Sequence, residues 1–417
     1  MVDKVLILGG SLDQLPMIEL TQRRGFQAVV IDKAAFCPGE GCADAFINAS
    51  ITDASQVEEV ARRFQVCAIV SMISEAGIFS QWRACSALDL PCLYTEASTS
   101  ATLSKKRARE ILGQHGFPNI PYQEVKEFTE LSHFFDCHGR DIVVKQSTSG
   151  GQRGLVRLCC IDKLERFWQH NQSGPELIAE RFLAGREVNC VYTVTGGVIR
   201  DLLISERVVQ EGVFGVVRDH IYPADLTKDQ SDKIYMLCNM MNHALEIRDG
   251  VVFPQFMIDS ITGSPWLIEL GVRIPGGVMD RLFYHIMGIN LVEFTLDLAL
   301  GIPRDYEAYR VGEKREFGRV AFFNGPPGPL CKGQVTEIRV GSQGRDIDGV
   351  LEHGLFAQRP HNPIIKDLVD GGSRFYYCLT TGSTNSDAQD AAKEFYAGID
   401  FIDGEGCSLK NSKCLYV

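Results

Sequence analysis

The chain has 417 residues, 45% of them hydrophobic, and a formal net charge of −11; it can bury a large core in about two to four domains, and an acidic balance without a long basic run gives nucleic-acid binding little support while leaving room for a local basic cleft for phosphates. Its 14 cysteines are scattered, several inside apolar runs (Cys67, Cys159, Cys160, Cys190), as reduced cytoplasmic thiols would be, and no Cys/His group has zinc spacing. Met1-Val2-Asp3-Lys4 does not open a signal peptide and no apolar stretch reaches membrane-spanning length, so a cytoplasmic protein with no membrane partner is expected.

Lys4–Leu8 is an apolar run ending at Gly9-Gly10, and a helical pattern follows (Leu12, Leu15, Ile18) in which Pro16 fits only the first turn. Gly25 stops it, and Ala28–Asp32 reads as the next strand. Strand, glycine turn, helix and a strand closing on an acid invite a dinucleotide-binding reading, but Gly9-Gly10-Ser11-Leu12-Asp13 breaks the G-x-G-x-x-G spacing. A helix near Ala54–Phe64, a strand at Ala68–Ser71, a helix over Ile78–Leu88 and the run Pro91–Tyr94 continue the alternation. They place a parallel-sheet domain over residues 1–100.

Ser104-Lys105-Lys106-Arg107 opens an amphipathic helix that stops at Gly116-Phe117-Pro118. The strand Asp141–Lys145 runs into a Ser/Gly-rich loop, Gln146–Gly154, and a further strand follows at Leu155–Leu158. With Lys145 and Arg153 at its flanks, that loop suits a flap over phosphates or a hairpin with incidental charges; it lacks the Gly-Lys-Ser/Thr and helix of a Walker loop. In Glu176–Asn189 two strand-like runs flank a turn. Glu180 and Glu187 are either nucleotide contacts, a main-chain edge for adenine and a carboxylate for ribose, or solvated strand ends.

Val251–Gly277 reads as a hairpin around Ser260–Pro265, with Gln255 and Glu269 on neighbouring strands. Alternation sends Glu269 to the face opposite Ile268 and Leu270. An amide oxygen and a carboxylate facing one cleft suit a hard cation such as Mg²⁺; a surface hairpin with its Glu in an ion pair is the other reading. Arg273 and Gly276-Gly277 follow directly.

Taken together these pieces resemble the ATP-grasp superfamily over the stretch from the N-terminus to about residue 301. Lys105 stands eleven residues before Gly116-Phe117-Pro118, and Lys145 enters a glycine-rich loop. Glu180 and Glu187 stand seven apart, Gln255 and Glu269 fourteen apart, and Arg273 lies four beyond Glu269. The run Gly288–Leu291 with Leu298–Gly301 is similar to the family's closing segment. The resemblance implies an α/β fold: an N-terminal Rossmann-like sheet, an ATP-grasp domain over 101–304 with a mobile lid near 120–175, and a C-terminal α+β lobe over 305–417. It also implies that Lys105 and Lys145 contact ATP phosphates and that a loop including Ser149, Gly150, Gly151, Arg153 and Gly154 closes over them. Glu180 with the backbone of Arg181 and Leu183 would line adenine, Glu187 would hold ribose, and Gln255 and Glu269 would ligate Mg²⁺, with Mn²⁺ as its substitute. Two departures are Gln255, where the family often has Glu, and Gly271, where it commonly has Asn.

The C-terminal region shows strand runs (Gly318–Phe323, Gln334–Val340, Phe375–Leu379) and a helix after Asn385. It has no catalytic cluster and reads as a separate element, a lid, substrate wall or oligomer surface that admits a homodimer. The activity implied by resemblance is ligation of a small-molecule carboxylate to an amine through an acyl phosphate, with Arg273 and the N–H groups near Gly276 and Gly277 stabilising the oxyanion. Bicarbonate activation, as in the biotin carboxylase and carbamoyl-phosphate synthetase branch, shares the ATP site. An NAD-dependent oxidoreductase and a nucleotide-binding protein without catalysis are the remaining alternatives.

Overall fold

The computed structural model describes residues 2–147, 155–171, 176–341, 347–356, 363–411 and 416. The N-terminal sheet is built from β1 (Lys4–Leu8), β2 (Gln27–Asp32), β3 (Ala45–Asn48) and β4 (Ala68–Val70), all parallel in the order β3-β2-β1-β4. Helices α1 (Leu15–Arg23), α2 (Ala54–Phe64) and α3 (Ile78–Leu88) connect it. Val5 to Leu8 are fully buried, as strands covered on both faces must be. Pro16 does fall in the first turn of α1. The edge strand β3 escapes the sequence pattern because it is only four residues long and half-exposed. Asp32, the acid that invited a dinucleotide reading, accepts the Gly10 N–H at 2.8 Å and so pins the glycine turn. The run Pro91–Tyr94 is a connector: Pro91 has no N–H to give a ladder, and Thr95 already caps α4 (Glu96–Leu103).

After α5 (Lys105–Gln114), a small antiparallel sheet combines β5 (Tyr122–Val125), β6 (Ile142–Gln146), β7 (Val156–Leu158) and β8 (Leu177–Arg181) in the order β5-β8-β6-β7. Helices α6 (Phe128–Cys137) and α7 (Ile161–Asn171) cover it around a core of its own that includes Phe134, Phe135, Val144 and Leu164.

The large sheet carries the cleft. It runs from β9 (Gly185–Thr195) and β10 (Val198–Val209) through β11 (Val217–Tyr222), and after α8 (Lys228–Ala244) to β12 (Gly250–Asp259) and β13 (Pro265–Gly271). Helices α9 (Met279–Met287) and α10 (Leu291–Ala299) precede β14 (Phe317–Phe323). The spatial order is β13-β12-β9-β10-β11-β14, continued by the strands Tyr376–Gly382 and Val350–Leu355. Period-two alternation divides β9: Val188, Cys190 and Tyr192 pack on α8, whereas Val191 joins the core under α9 and α10. At Gly185 a Cβ would stand 2.0 Å from the Ile258 carbonyl oxygen, so only glycine lets β9 approach β12 there.

Two expectations need correction. The C-terminal region is not a separate element, because β14 pairs with β11 and Tyr376–Gly382 pairs with β14 in one ladder. The run Gln334–Val340 is not one strand but two, Gly333–Gln334 and Glu337–Val340. Between them the Val335 N–H goes to Pro363 and the Thr336 N–H to Ile402, so the chain changes partner halfway.

Candidate active site

Facing strands set the cleft. Asn189 on β9 lies opposite Gln255 on β12, and Gln255 lies opposite Glu269 on β13, which makes a row of three oxygen-bearing side chains. Strict alternation from Leu267, which packs toward α8, would bury Glu269 in that core. The register shift between Gln255 and Phe256 inserts an extra residue at Ile268, so that Leu267 and Leu270 both face α8 and Glu269 turns to the cleft. The carbonyl of Ile268, at the irregularity, accepts the Lys145 ammonium at 3.3 Å.

Asn189 is fully buried, and its Oδ1 has no hydrogen-bond partner among the described residues. Its Nδ2 donates to His220 Nδ1 at 3.0 Å, and burial followed by the Arg207 charge pushes the His220 pKa well below its ordinary value. That imidazole is a neutral acceptor at physiological pH.

Two lysines converge on β13. Lys105, the first residue of α5, places Nζ 3.8 Å from Glu269 Oε1, and its N–H donates to the Ser147 carbonyl at 3.0 Å. Lys145 on β6 is buried, with Nζ 2.7 Å from Glu180 Oε2. The other Glu180 oxygen accepts Arg109 Nε and Nη2 at 3.2 and 3.0 Å. Burial would raise the Glu180 carboxyl, but Lys145 and Arg109 bring it down to about 2. For Lys145, burial dominates over the attraction of Glu180 and lowers its pKa. Both Glu180 oxygens are thus engaged in holding Lys145 and Arg109. The Arg181 N–H donates to Pro121, Leu183 is buried, and Glu187 accepts from Arg207, its direct cross-strand partner. Ser149, Gly150, Gly151, Arg153 and Gly154 lie outside the described residues.

Arg273 reaches the N-terminal unit: its Nε donates to Glu75 Oε1 at 3.2 Å, and Nη1 to the Ile274 carbonyl at 3.0 Å. Arg273, Gly276 and Gly277 line the same cleft as Asn189, Gln255 and Glu269. Gly277 has φ +71°, and a Cβ there would lie 3.1 Å from Nη1 of Arg374. Beyond Gly277 opens a second cavity of about 320 Å³, bounded by Asp13, Glu19 and Asp280 with an apolar wall that includes Met72 and Phe356. Burial, partly offset by Arg281, pushes the Asp280 carboxyl up to about 6.

Sequence reasoning missed Glu75, Arg109, Asn189, Arg207 and Arg374. Two had a usable signal. Arg109 follows Lys105 by four residues on one helix face, and Asn189 follows Glu187 by two on one strand face. The other three depend on contacts between distant segments.

Among known proteins, no family model matches the chain. A D-alanine–D-alanine ligase of Bordetella avium is 26% identical over 200 residues, 45% of this chain and 62% of that protein, so the chain spans less than two thirds of that relative's length. The structure of an L-amino acid ligase from Bacillus licheniformis superposes over 97% of this chain and 99% of its own, with a TM-score of 0.79 at 20% identity. The chain has the ATP-grasp fold. A second ATP-grasp structure, the biotin carboxylase domain of the Hydrogenobacter thermophilus 2-oxoglutarate carboxylase with MgADP and bicarbonate, covers 98% of this chain and 92% of its own, with a TM-score of 0.74 at 15% identity. Among the described residues no helix is long and apolar enough to cross a membrane, and the 13 described cysteines are free thiols.

Proposed function

We propose that this chain is an ATP-dependent ligase that activates a carboxylate, that of an amino acid, as an acyl phosphate and joins it to an amine, releasing ADP and phosphate. The observation that carries the reading is the shared cleft: the row Asn189, Gln255 and Glu269 faces Arg273 and Gly277.

The donor set fits Mg²⁺. Among the described residues no group of three His, Cys, Asp or Glu side chains is placed to hold a metal. However, Mg²⁺ commonly takes one or two protein oxygens and completes its shell with water and substrate phosphates. Glu269 supplies the charge, Gln255 a neutral oxygen, and the unsatisfied Oδ1 of Asn189 lies in the same row. Once held by Glu269 and Gln255, Mg²⁺ (or Mn²⁺) would offset the negative charge of the triphosphate.

Lys105 and Lys145, which converge on β13, orient the phosphates. A substrate carboxylate oxygen bonds to the γ-phosphorus as the bond to ADP breaks. The amine nitrogen then bonds to the acyl carbon, loses a proton, and phosphate leaves. Arg273 and the N–H groups at Gly276 and Gly277 would stabilise the oxyanion between those two events, a role for donors fixed in advance. On this reading the chain divides into 1–100, 101–304 and 305–417, the last joined to the second through the β11–β14 pairing, with 120–175 as the moving part, in a cytoplasmic protein whose homodimer formation sedimentation would test.

The test is ATP-dependent phosphate release across amino-acid pairs, with hydroxylamine to trap acyl phosphates and mass detection of products. Hydroxamate and a dipeptide are expected. Absence of hydroxamate with every amino acid would overturn the reading, and activity with bicarbonate alone would replace it by the carboxylase alternative.

A further inference from the structure

Among the described residues three arginines line the cleft, and two of them are neutralised: Arg207 is paired with Glu187 and Arg273 with Glu75. Arg374 has no acid within ion-pair distance among the described residues. It is 91% buried by exposed area (9% remains accessible), and its guanidinium carbon lies 4.4 Å from the Phe322 ring centre and 4.1 Å from that of Phe356. Its Nε donates to the Gly371 carbonyl at 2.8 Å. Its terminal nitrogens lie against Gly277, where the missing side chain leaves them room at the cleft wall. Burial and the Arg207 charge lower its pKa to about 9, with Asp13 and Asp370 pulling the other way, so it stays cationic at neutral pH.

A cation stripped of water and held by two ring faces and one carbonyl is complemented by an anion that enters the cleft. The triphosphate already has Lys105 and Lys145, which stand beside Ile268 and Glu269 on β13. Arg374 stands instead at Gly277, next to the groups assigned to the acyl carbon. We propose that Arg374 holds an anionic group, a carboxylate or a phosphate, on the amine-bearing substrate, so that this substrate is an amino acid or a phosphorylated amine rather than a simple amine. The inference rests on the ligase reading above.

The experiment is calorimetric binding, with ADP and Mg²⁺ present, of each L-amino acid against its α-amide and of O-phosphoethanolamine against ethanolamine. On the wild-type protein one anionic member should bind on the order of 10- to 100-fold more tightly than its uncharged counterpart. The pair that shows the difference identifies carboxylate or phosphate. Arg374→Met should abolish the difference, and Arg374→Lys should retain part of it. Equal binding of both members of every pair to the wild type would overturn the proposal without any variant. So would a difference that survives in Arg374→Met, or a loss confined to ADP affinity. Hydroxylamine trapping separates the two readings. A protein that traps no hydroxamate yet discriminates acid from amide loses the ligase reading and keeps the anion subsite. One that traps hydroxamate without discriminating loses only the subsite.

Discussion

Glu180→Gln removes the single anion between two buried cations. The side chains of Arg109, Lys145 and Glu180 are 4%, 8% and 5% exposed, so water cannot replace the lost charge. Breaking a buried pair by removing one partner costs about 3–5 kcal/mol. Lowering the carboxyl from its ordinary 4.5 to about 2, which the same two cations bring about, corresponds to about 3 kcal/mol. Because the folded-state value is depressed, this stabilisation is complete above the unfolded-state value and is lost as pH falls from about 4.5 toward 2. Urea unfolding at pH 7, 5, 4 and 3 should show the variant less stable by about 3 kcal/mol at pH 7, with the gap closing in acid. The variant should also bind ATP more weakly, since burial already favours the neutral amine of Lys145 and Glu180 is what opposes it. A loss under about 1 kcal/mol at pH 7, or an acid dependence identical to wild type, would refute the reasoning.

Glu269→Gln should raise the Mg²⁺ concentration needed for turnover and reduce the rate severely, while Gln255→Glu should be tolerated and lower that concentration; an unchanged Mg²⁺ titration for Glu269→Gln would remove it from the metal site. Arg273→Ala should cost about 3–4 kcal/mol of barrier, seen as a fall in kcat with ATP affinity preserved, and near-normal product formation would end its oxyanion role. Gly277→Ala carries a side chain at φ +71° and 3.1 Å from Arg374, so it should lower stability by about 1–2 kcal/mol and raise KM for the amine-bearing substrate more than for ATP. Equal effects on both KM values would show backbone strain alone.

Much of the fold was legible because its signals are local. β1, β2, α2 and α3 announce themselves by apolar runs and helical spacing, and the hairpin by a turn that brings Gln255 opposite Glu269. That pairing was foreseen with incomplete reasoning, since alternation ignored the irregularity at Ile268 that turns Glu269 out of the α8 core. What stayed hidden depends on distant partners. The pairing of Tyr222 with Gly318 leaves no local trace in either segment, so the C-terminal region looked detached. Arg374 goes unnoticed in the sequence because the rings beneath it and the glycine before it come from segments far apart in the chain. Glu180 was seen as a site residue, yet its engagement by Arg109 requires α5 to pack on the small sheet, which no spacing announces.

The β11–β14 pairing has a consequence for anyone recombining such chains. The row Asn189, Gln255 and Glu269 sits on β9, β12 and β13, and Arg374 lies two residues before the strand that follows β14, so the two rims of the cleft are rungs of the same hydrogen-bonded ladder. Bending at the rims would have to break backbone pairs, whereas the small sheet bearing Lys145 belongs to a different ladder and keeps its own core. Exchanging the C-terminal region for another is therefore a splice through the middle of a sheet, not the replacement of a bead on a string, and a graft that alters the curl of that sheet resizes the cleft without touching a residue in it.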